Sequence, residues 1–267
     1  MTGTSKVYGD ILDSSSDRER ERLRLLEDSF DPGTFRWLDQ LGVGSGWRCL
    51  EVGAGGGSVA RWLADRVGPS GHVVATDLRI DQLAGHSVPN LEVRVHNIIT
   101  DSIENAHYDL IHLRFVLNNL ADHRATLLPK VIGALRPGGW LLVEDPDFAS
   151  FDGCLRDAPA DLARWYYDWV SMLRKHVGVE LYAGRRTLHE LRAAGLVEVG
   201  SEGRVIMVGE GASSIEALAA AMEQTMPVLE PHGLSTAQGE AFLRFMRSSG
   251  FRAVSWVQMA GWGRRPQ

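Results

Sequence analysis

The sequence predicts an α/β fold, a mostly parallel sheet covered by helices on both faces. Three observations predict it. Short apolar runs bounded by glycine or turn residues alternate with amphipathic helical runs, the pattern of βαβ units. The first apolar run ends in a glycine-rich junction, Glu51-Val-Gly-Ala-Gly-Gly-Gly-Ser58, which opens the next helix. And 267 residues at 44% hydrophobic and 23% charged suffice for one sizeable core.

In chain order, Ser16-Asp-Arg-Glu19 has the spacing of a capping box, and Leu23, Leu26 and Phe30 follow at helical intervals. This helix is expected to stop near Asp31-Pro32-Gly33, because proline cannot continue it, and a second to run from Thr34 to Leu41. Trp47–Val52 reads as a buried parallel strand, Ser58–Val67 as a helix, Gly68–Gly71 as a turn and His72–Thr76 as a strand. Further strands are predicted at Leu91–Val95, Tyr108–Leu113 and Trp140–Glu144, with a crossover helix near Ala125–Leu135. From Phe151 to Val179 the chain is helical and aromatic: Leu162, Trp165, Tyr166, Trp169, Leu173 and His176 recur on one helical face. A helix at Leu188–Ala194 follows. Strands at Val197–Val208 and Val254–Gly261 are then separated by helices near Ser214–Met226 and Thr236–Ser248. The expected division is one domain over 1–267: a helical lid (1–46), a core (47–150), a helical cap (151–186) and a C-terminal part of the core (187–267).

Composition narrows the function. The net charge of -6, from 28 basic and 34 acidic residues, argues against nucleic acid as a partner. The run Arg18–Arg22 alternates in sign and reads as a solvated helix face. Two cysteines, Cys49 and Cys154, are too few for a disulfide framework or a cysteine zinc site, and no metal is expected. With neither a signal-like start nor a long apolar span, the expected setting is the cytoplasm, with no membrane partner.

At the glycine-rich junction, Gly53, Gly55 and Gly57 permit a tight turn and close approach to a ligand, and the helix start offers free N–H groups. A dinucleotide fingerprint from Gly53 requires glycine at 58, where Ser58 stands. Glu51, at the end of the strand, would repel a pyrophosphate but attract an α-ammonium. Asp77, ending the second strand, is suited to both hydroxyls of a ribose.

Four segments resemble the motifs of class I S-adenosylmethionine methyltransferases: Glu51–Gly57, Val73-Val-Ala-Thr-Asp77-Leu78, Tyr108-Asp-Leu-Ile-His-Leu-Arg114, and Leu135-Arg-Pro-Gly-Gly-Trp-Leu-Leu-Val-Glu144-Asp145. The resemblance implies a Rossmann-like three-layer sandwich, with a seven-stranded sheet of order 3-2-1-4-5-7-6 whose last strand is antiparallel. Tyr8-Gly-Asp and Trp262-Gly-Arg-Arg-Pro266 also resemble actinobacterial methyltransferases of small metabolites. It further implies S-adenosyl-L-methionine as cofactor. Asp77 is then the ribose ligand, Leu78 the neighbour of the adenine, and the Leu113 carbonyl with Arg114 the methionine contact. Asn97 and Ile98 occupy the adenine-side position where the family usually has an acid; the Asn97 oxygen still accepts a hydrogen bond. Asn118 and Asn119 stand where many relatives carry a histidine pair, and neither is a base. Tyr8 is placed to fold over the cofactor, with a frayed terminus as the alternative.

For a base serving the acceptor, the sequence offers Asp145 and Asp147 past the fifth strand and His176 on the aromatic stripe. Turn caps and an ordinary histidine are the bland readings, and Arg114 reads equally as a structural ion pair. The expectation is methyl transfer to a small molecule, by O-methylation of an aromatic or polycyclic secondary metabolite, ahead of N- or C-methylation. A non-methylating cofactor binder (a cyclase or a regulator), an NAD-dependent oxidoreductase and a macromolecule methyltransferase are the rivals. A homodimer is left open.

Overall fold

The computed structural model describes residues 17–83, 88–152, 155 and 158–267. Tyr8, Ser16 and Cys154 lie outside them.

Five strands, β1 (Arg48–Val52), β2 (His72–Asp77), β3 (Leu91–Val95), β4 (Tyr108–Arg114) and β5 (Leu135–Asp147), alternate with the helices α1 (Asp17–Gln40), α2 (Ser58–Val67) and α3 (Arg124–Ala134). After them come α4 (Ala149–Asp152), α5 (Ala160–Met172), α6 (Thr187–Ala193), β6 (Val197–Arg204), β7 (Met207–Gly209), α7 (Ser213–Leu229), α8 (Thr236–Met246), β8 (Arg252–Val254) and β9 (Val257–Arg264). The seven-stranded sheet has the order β3-β2-β1-β4-β5-β9-β6. Only β9 is antiparallel to its neighbours in that sheet. The expected topology is borne out, β9 being the seventh strand of this sheet.

The two-residue period of the strands sorts their side chains between two apolar layers. Cys49, Val73, Leu110 and Leu142 join Trp37, Leu38 and Leu63 under α1 and α2. Leu50, Val52, Ile111 and Val143 join Leu127, Val131 and Leu191 under α3 and α6. A third core belongs to the cap. There Phe151, Trp165, Tyr166 and Trp169 pack with Met222, Phe242 and Trp256. Indole Nε1 of Trp165 donates to the Ser235 carbonyl at 2.8 Å, and that of Trp169 to Thr225 Oγ1 at 2.9 Å, so both buried donors are satisfied.

Four expectations are corrected. Helix α1 does not stop at Pro32 but runs through it to Gln40. A proline within a helix costs about 3 kcal/mol. Burial of Phe30, Trp37 and Leu38 on either side of it offsets this, at about 1.5–3 kcal/mol per large apolar side chain. Strand β5 extends to Asp147, carrying Asp145 into the sheet. The two late strands each break, near residues 205–206 and 255–256. Their outer parts, β7 and β8, form a separate two-stranded sheet, whose Val208 and Ala253 belong to the cap core. The stripe of α5 ends early, because Leu173–Val177 winds as a π-helical turn. A wider turn takes His176 off the 3.6-residue face.

Truncating Trp165 to alanine should destabilise the protein by about 3–5 kcal/mol, read as a lower midpoint in urea unfolding at neutral pH.

Candidate active site

A cavity of about 420 Å³ opens at the carboxyl ends of the parallel strands. Its floor at one end is the loop after β1. Gly53 has φ 72°, and a Cβ there would lie 2.6 Å from Val116 Cγ2, so the conformation and the close approach both demand glycine. Gly53, Gly55, Asp77, Leu78, Asn97 and Ile98, the residues expected to hold a cofactor, all line the cavity. Asp77 Oδ2 accepts from the Gly55 N–H at 3.0 Å and Oδ1 from the Arg79 N–H at 3.2 Å. Burial raises its pKa against the pull of these donors. The Asn97 side-chain oxygen already accepts from the Ile99 N–H at 3.0 Å, so any ligand shares it with a turn. Gly57 does not line the cavity; at φ 83° it is the N-cap of α2. Leu113 is fully buried in the sheet, and the strand meets the cavity through Arg114 and Phe115 instead.

Helix α1 is the roof. Leu23, Leu26 and Glu27 line the cavity from above. Thr34, one face further along, donates to Glu144 Oε2 at 3.1 Å. Arg114 donates to Thr34 Oγ1 and to Asp31 Oδ1, both at 2.9 Å, and Ser58 Oγ donates to Asp31 Oδ1 at 3.1 Å. Arg114 is therefore an ion pair that clamps the roof to β4 and α2.

Glu51 is not at the cavity. Its register partner on β4 is His112, and both point into the layer under α1. His112 Nδ1 lies 2.7 Å from Glu51 Oε2 and Nε2 lies 2.9 Å from Glu144 Oε1. Burial opposes the charge on His112, but the two carboxylates outweigh it and lift its pKa to about 9. Burial also pushes Glu51 up, against the pull of His112. Nothing in the periodicity of β4 marks His112, which sits among apolar residues; only the pairing of β4 with β1 and β5 reveals it.

None of the three proposed bases, Asp145, Asp147 and His176, lines the cavity. Asp145 is 2% exposed on the α3 side of the sheet; it pairs with Arg124 and accepts from the Asn118 N–H at 3.2 Å. Burial raises its pKa and Arg124 opposes the rise. Asp147 pairs with Arg185 at 2.6 Å. His176 stacks on His232, with ring centroids 3.8 Å apart, and desolvation and then His232 lower its pKa.

The far end of the cavity is apolar. Phe148, Trp169, Leu173, Leu181, Leu218 and Trp256 line it, and Trp256 stacks on Phe148 at 4.9 Å. Asn118 and Asn119 line the cavity as well. Phe115, a lining residue too, has φ 57°, a conformation that is uncommon for a bulky residue and clusters at functional sites. Sequence reasoning missed Phe115, Trp256, Glu27 and His112.

Residues 15–199 match the family described as methyltransferase domain. The chain belongs to this methyltransferase family. Methyltransferase str3 of Strobilurus tenacellus is 33% identical over 145 residues, 52% of this chain and 50% of that protein. The ubiquinone/menaquinone biosynthesis C-methyltransferase UbiE of Laribacter hongkongensis is 30% identical over 115 residues, 40% of this chain and 46% of that protein. The chain thus spans about half the length of these curated relatives. Among solved structures, Haemonchus contortus phosphoethanolamine N-methyltransferase 2 in complex with S-adenosyl-L-methionine superposes with TM-score 0.54 at 15% identity, covering 86% of this chain and 51% of that one. A methyltransferase from Bacillus halodurans superposes with TM-score 0.55 at 19% identity, covering 87% and 98%. These likenesses show the fold. The cofactor of the fold and family is S-adenosylmethionine, and the residues present fit it: Asp77, Leu78 and Ile98 suit an adenosine, and the glycine loop beneath α1 suits the methionine part.

Two predictions follow from the buried groups. His112 gains proton affinity on folding, so its stabilisation is complete below about 6.5 and is lost as the pH rises through about 9. Urea unfolding should show stability declining across that window in the wild type, a decline absent in His112→Gln. Asp145→Ala removes one of the two carboxylates paired with buried Arg124, Glu190 remaining, and should cost about 1–3 kcal/mol in stability, read as a lower midpoint in urea unfolding.

Proposed function

We propose that the chain transfers a methyl group from S-adenosylmethionine to a small, largely apolar acceptor, an aromatic or polycyclic secondary metabolite. The observation that carries this is the continuity of one cavity, from the glycine loop to the aromatic cap. When bound, S-adenosylmethionine supplies an electrophilic methyl group on a sulfonium and departs as neutral S-adenosylhomocysteine. The chain's own work is placement. The glycine loop, Asp77 and the roof fix the donor end, while Trp169, Leu218 and Trp256 exclude water and hold a flat ring system. Alignment of this kind contributes on the order of 7–11 kcal/mol in favourable cases.

The acids that line the cavity, Glu19, Glu27 and Asp77, belong to α1 or to the end of β2. Among the described residues, the apolar end holds no carboxylate, histidine or lysine. O-methylation, the first reading, therefore calls for a hydroxyl acidic enough to arrive ionised. A second reading is methylation of a ring carbon in an acceptor that arrives ionised, with the ring proton then lost to water; UbiE is by name a C-methyltransferase.

The test is incubation with methyl-labelled S-adenosylmethionine and a panel of phenols, polycyclic enols and amines. Label in an extractable product, with release of S-adenosylhomocysteine, is the expected result; binding without release would overturn the reading in favour of a cofactor binder. Ala221 lines the cavity from α7, and Ala221→Trp should fill the acceptor end. It is expected to lower turnover about a hundredfold (~2.7 kcal/mol) while S-adenosylhomocysteine binding stays within about twofold of wild type.

A further inference from the structure

A methionine-derived donor carries a cationic α-ammonium, which needs an anion or oriented dipoles in reach. Glu51, the acid beside the glycine loop in sequence, does not serve, because it is committed to His112 in the layer beneath α1. Of the other acids at the loop, Asp77 already accepts from the Gly55 and Arg79 N–H groups and Asp31 is held by Arg114 and Ser58; the third, like Asp31, comes from the roof. Glu27 lines the cavity, and its Oε1 accepts a hydrogen bond from the Ser58 N–H at 3.2 Å. It stands so near the loop that a Cβ on Gly56 would lie 2.5 Å from Oε1 and 3.4 Å from Oε2. A carboxylate offers about four acceptor sites, and this N–H fills one.

The placement of Glu27 is fixed by its helix. Glu27, Asp31 and Thr34 recur at i, i+4 and i+7 and so share one face of α1. Asp31 is held by Arg114 and Ser58, and Thr34 by Glu144. The two anchors lie within two turns of Glu27 and press it towards the loop.

We propose that Glu27, delivered by α1, is the carboxylate that holds the α-ammonium of the methyl donor, and that Glu51 is instead a structural member of the buried relay. This rests on the donor reading above. The roof helix then recognises the donor as well as covering it.

The test is calorimetric binding of two ligands, S-adenosylhomocysteine and 5′-methylthioadenosine, which lacks the amino-acid end. Glu27→Gln should raise the dissociation constant of S-adenosylhomocysteine about tenfold, as expected for loss of a hydrogen bond to a charged group, and leave that of 5′-methylthioadenosine within about twofold. Glu27→Asp, with its carboxylate set back by one methylene, should give an intermediate ratio between the two ligands. Glu51→Gln should lower the melting temperature and preserve the wild-type ratio. A Glu27→Gln variant that binds S-adenosylhomocysteine as wild type does, or weakens both ligands alike, overturns the assignment. Wild-type protein that binds neither ligand overturns the donor reading itself, and the assignment with it.

Discussion

A histidine held between two glutamates in the middle of the sheet ties together the parts that surround the cavity. His112 joins Glu51 on β1 to Glu144 on β5 across β4, and Thr34 carries the chain of hydrogen bonds from Glu144 into the roof. Each of these charges alone would be costly at such depth. Together they satisfy one another, and removing one member leaves the rest exposed to the full penalty. The value of such a network lies less in net stability than in geometry: it sets how the ends of three strands lie beneath one helix.

That geometry divides the cavity by chemistry. Acids and backbone donors gather at the loop, at the end of β2 and on the roof, where a ligand with hydroxyls and opposite charges belongs. Aromatic carbon gathers under the cap. Phe115 stands at the boundary in its left-handed conformation, its amide donating to the Glu144 carbonyl at 2.9 Å and its ring edge-on to Phe30 at 4.7 Å. The residue at which the two halves meet thus directly follows the strand that supplies His112.

Most of the fold was legible in the sequence, because parallel strands buried on both faces are continuous apolar runs, and glycine marks where they turn. The glycine-loop end of the cavity was legible for a related reason: Gly53, Gly55, Asp77, Leu78, Asn97 and Ile98 lie at strand ends, where position along the chain determines position in space. What the sequence hid depends on which face a residue takes and what packs there. Glu51 and Asp145 both lie on strands at the rim of the cavity, yet the two-residue period sends them to opposite layers, one to His112 and the other to Arg124. His176 was misplaced by a change of helical pitch. Pro32 misled because its local cost is smaller than the burial it interrupts.

The roof helix finds its partners far along the chain. Gln258 donates to the Ser29 carbonyl across 229 residues, Gln224 to Glu19 across 205, and Arg36 pairs with Glu202 across 166. Contacts of such sequence separation form late, because the loops they close carry a large entropic cost. Helix α1 therefore depends for part of its seat on segments that follow it by 166 to 229 residues. A sheet without β9 would still keep α1 through Glu27, Asp31 and Thr34, but part of the roof's seat is set by residues that come long after the glycine loop.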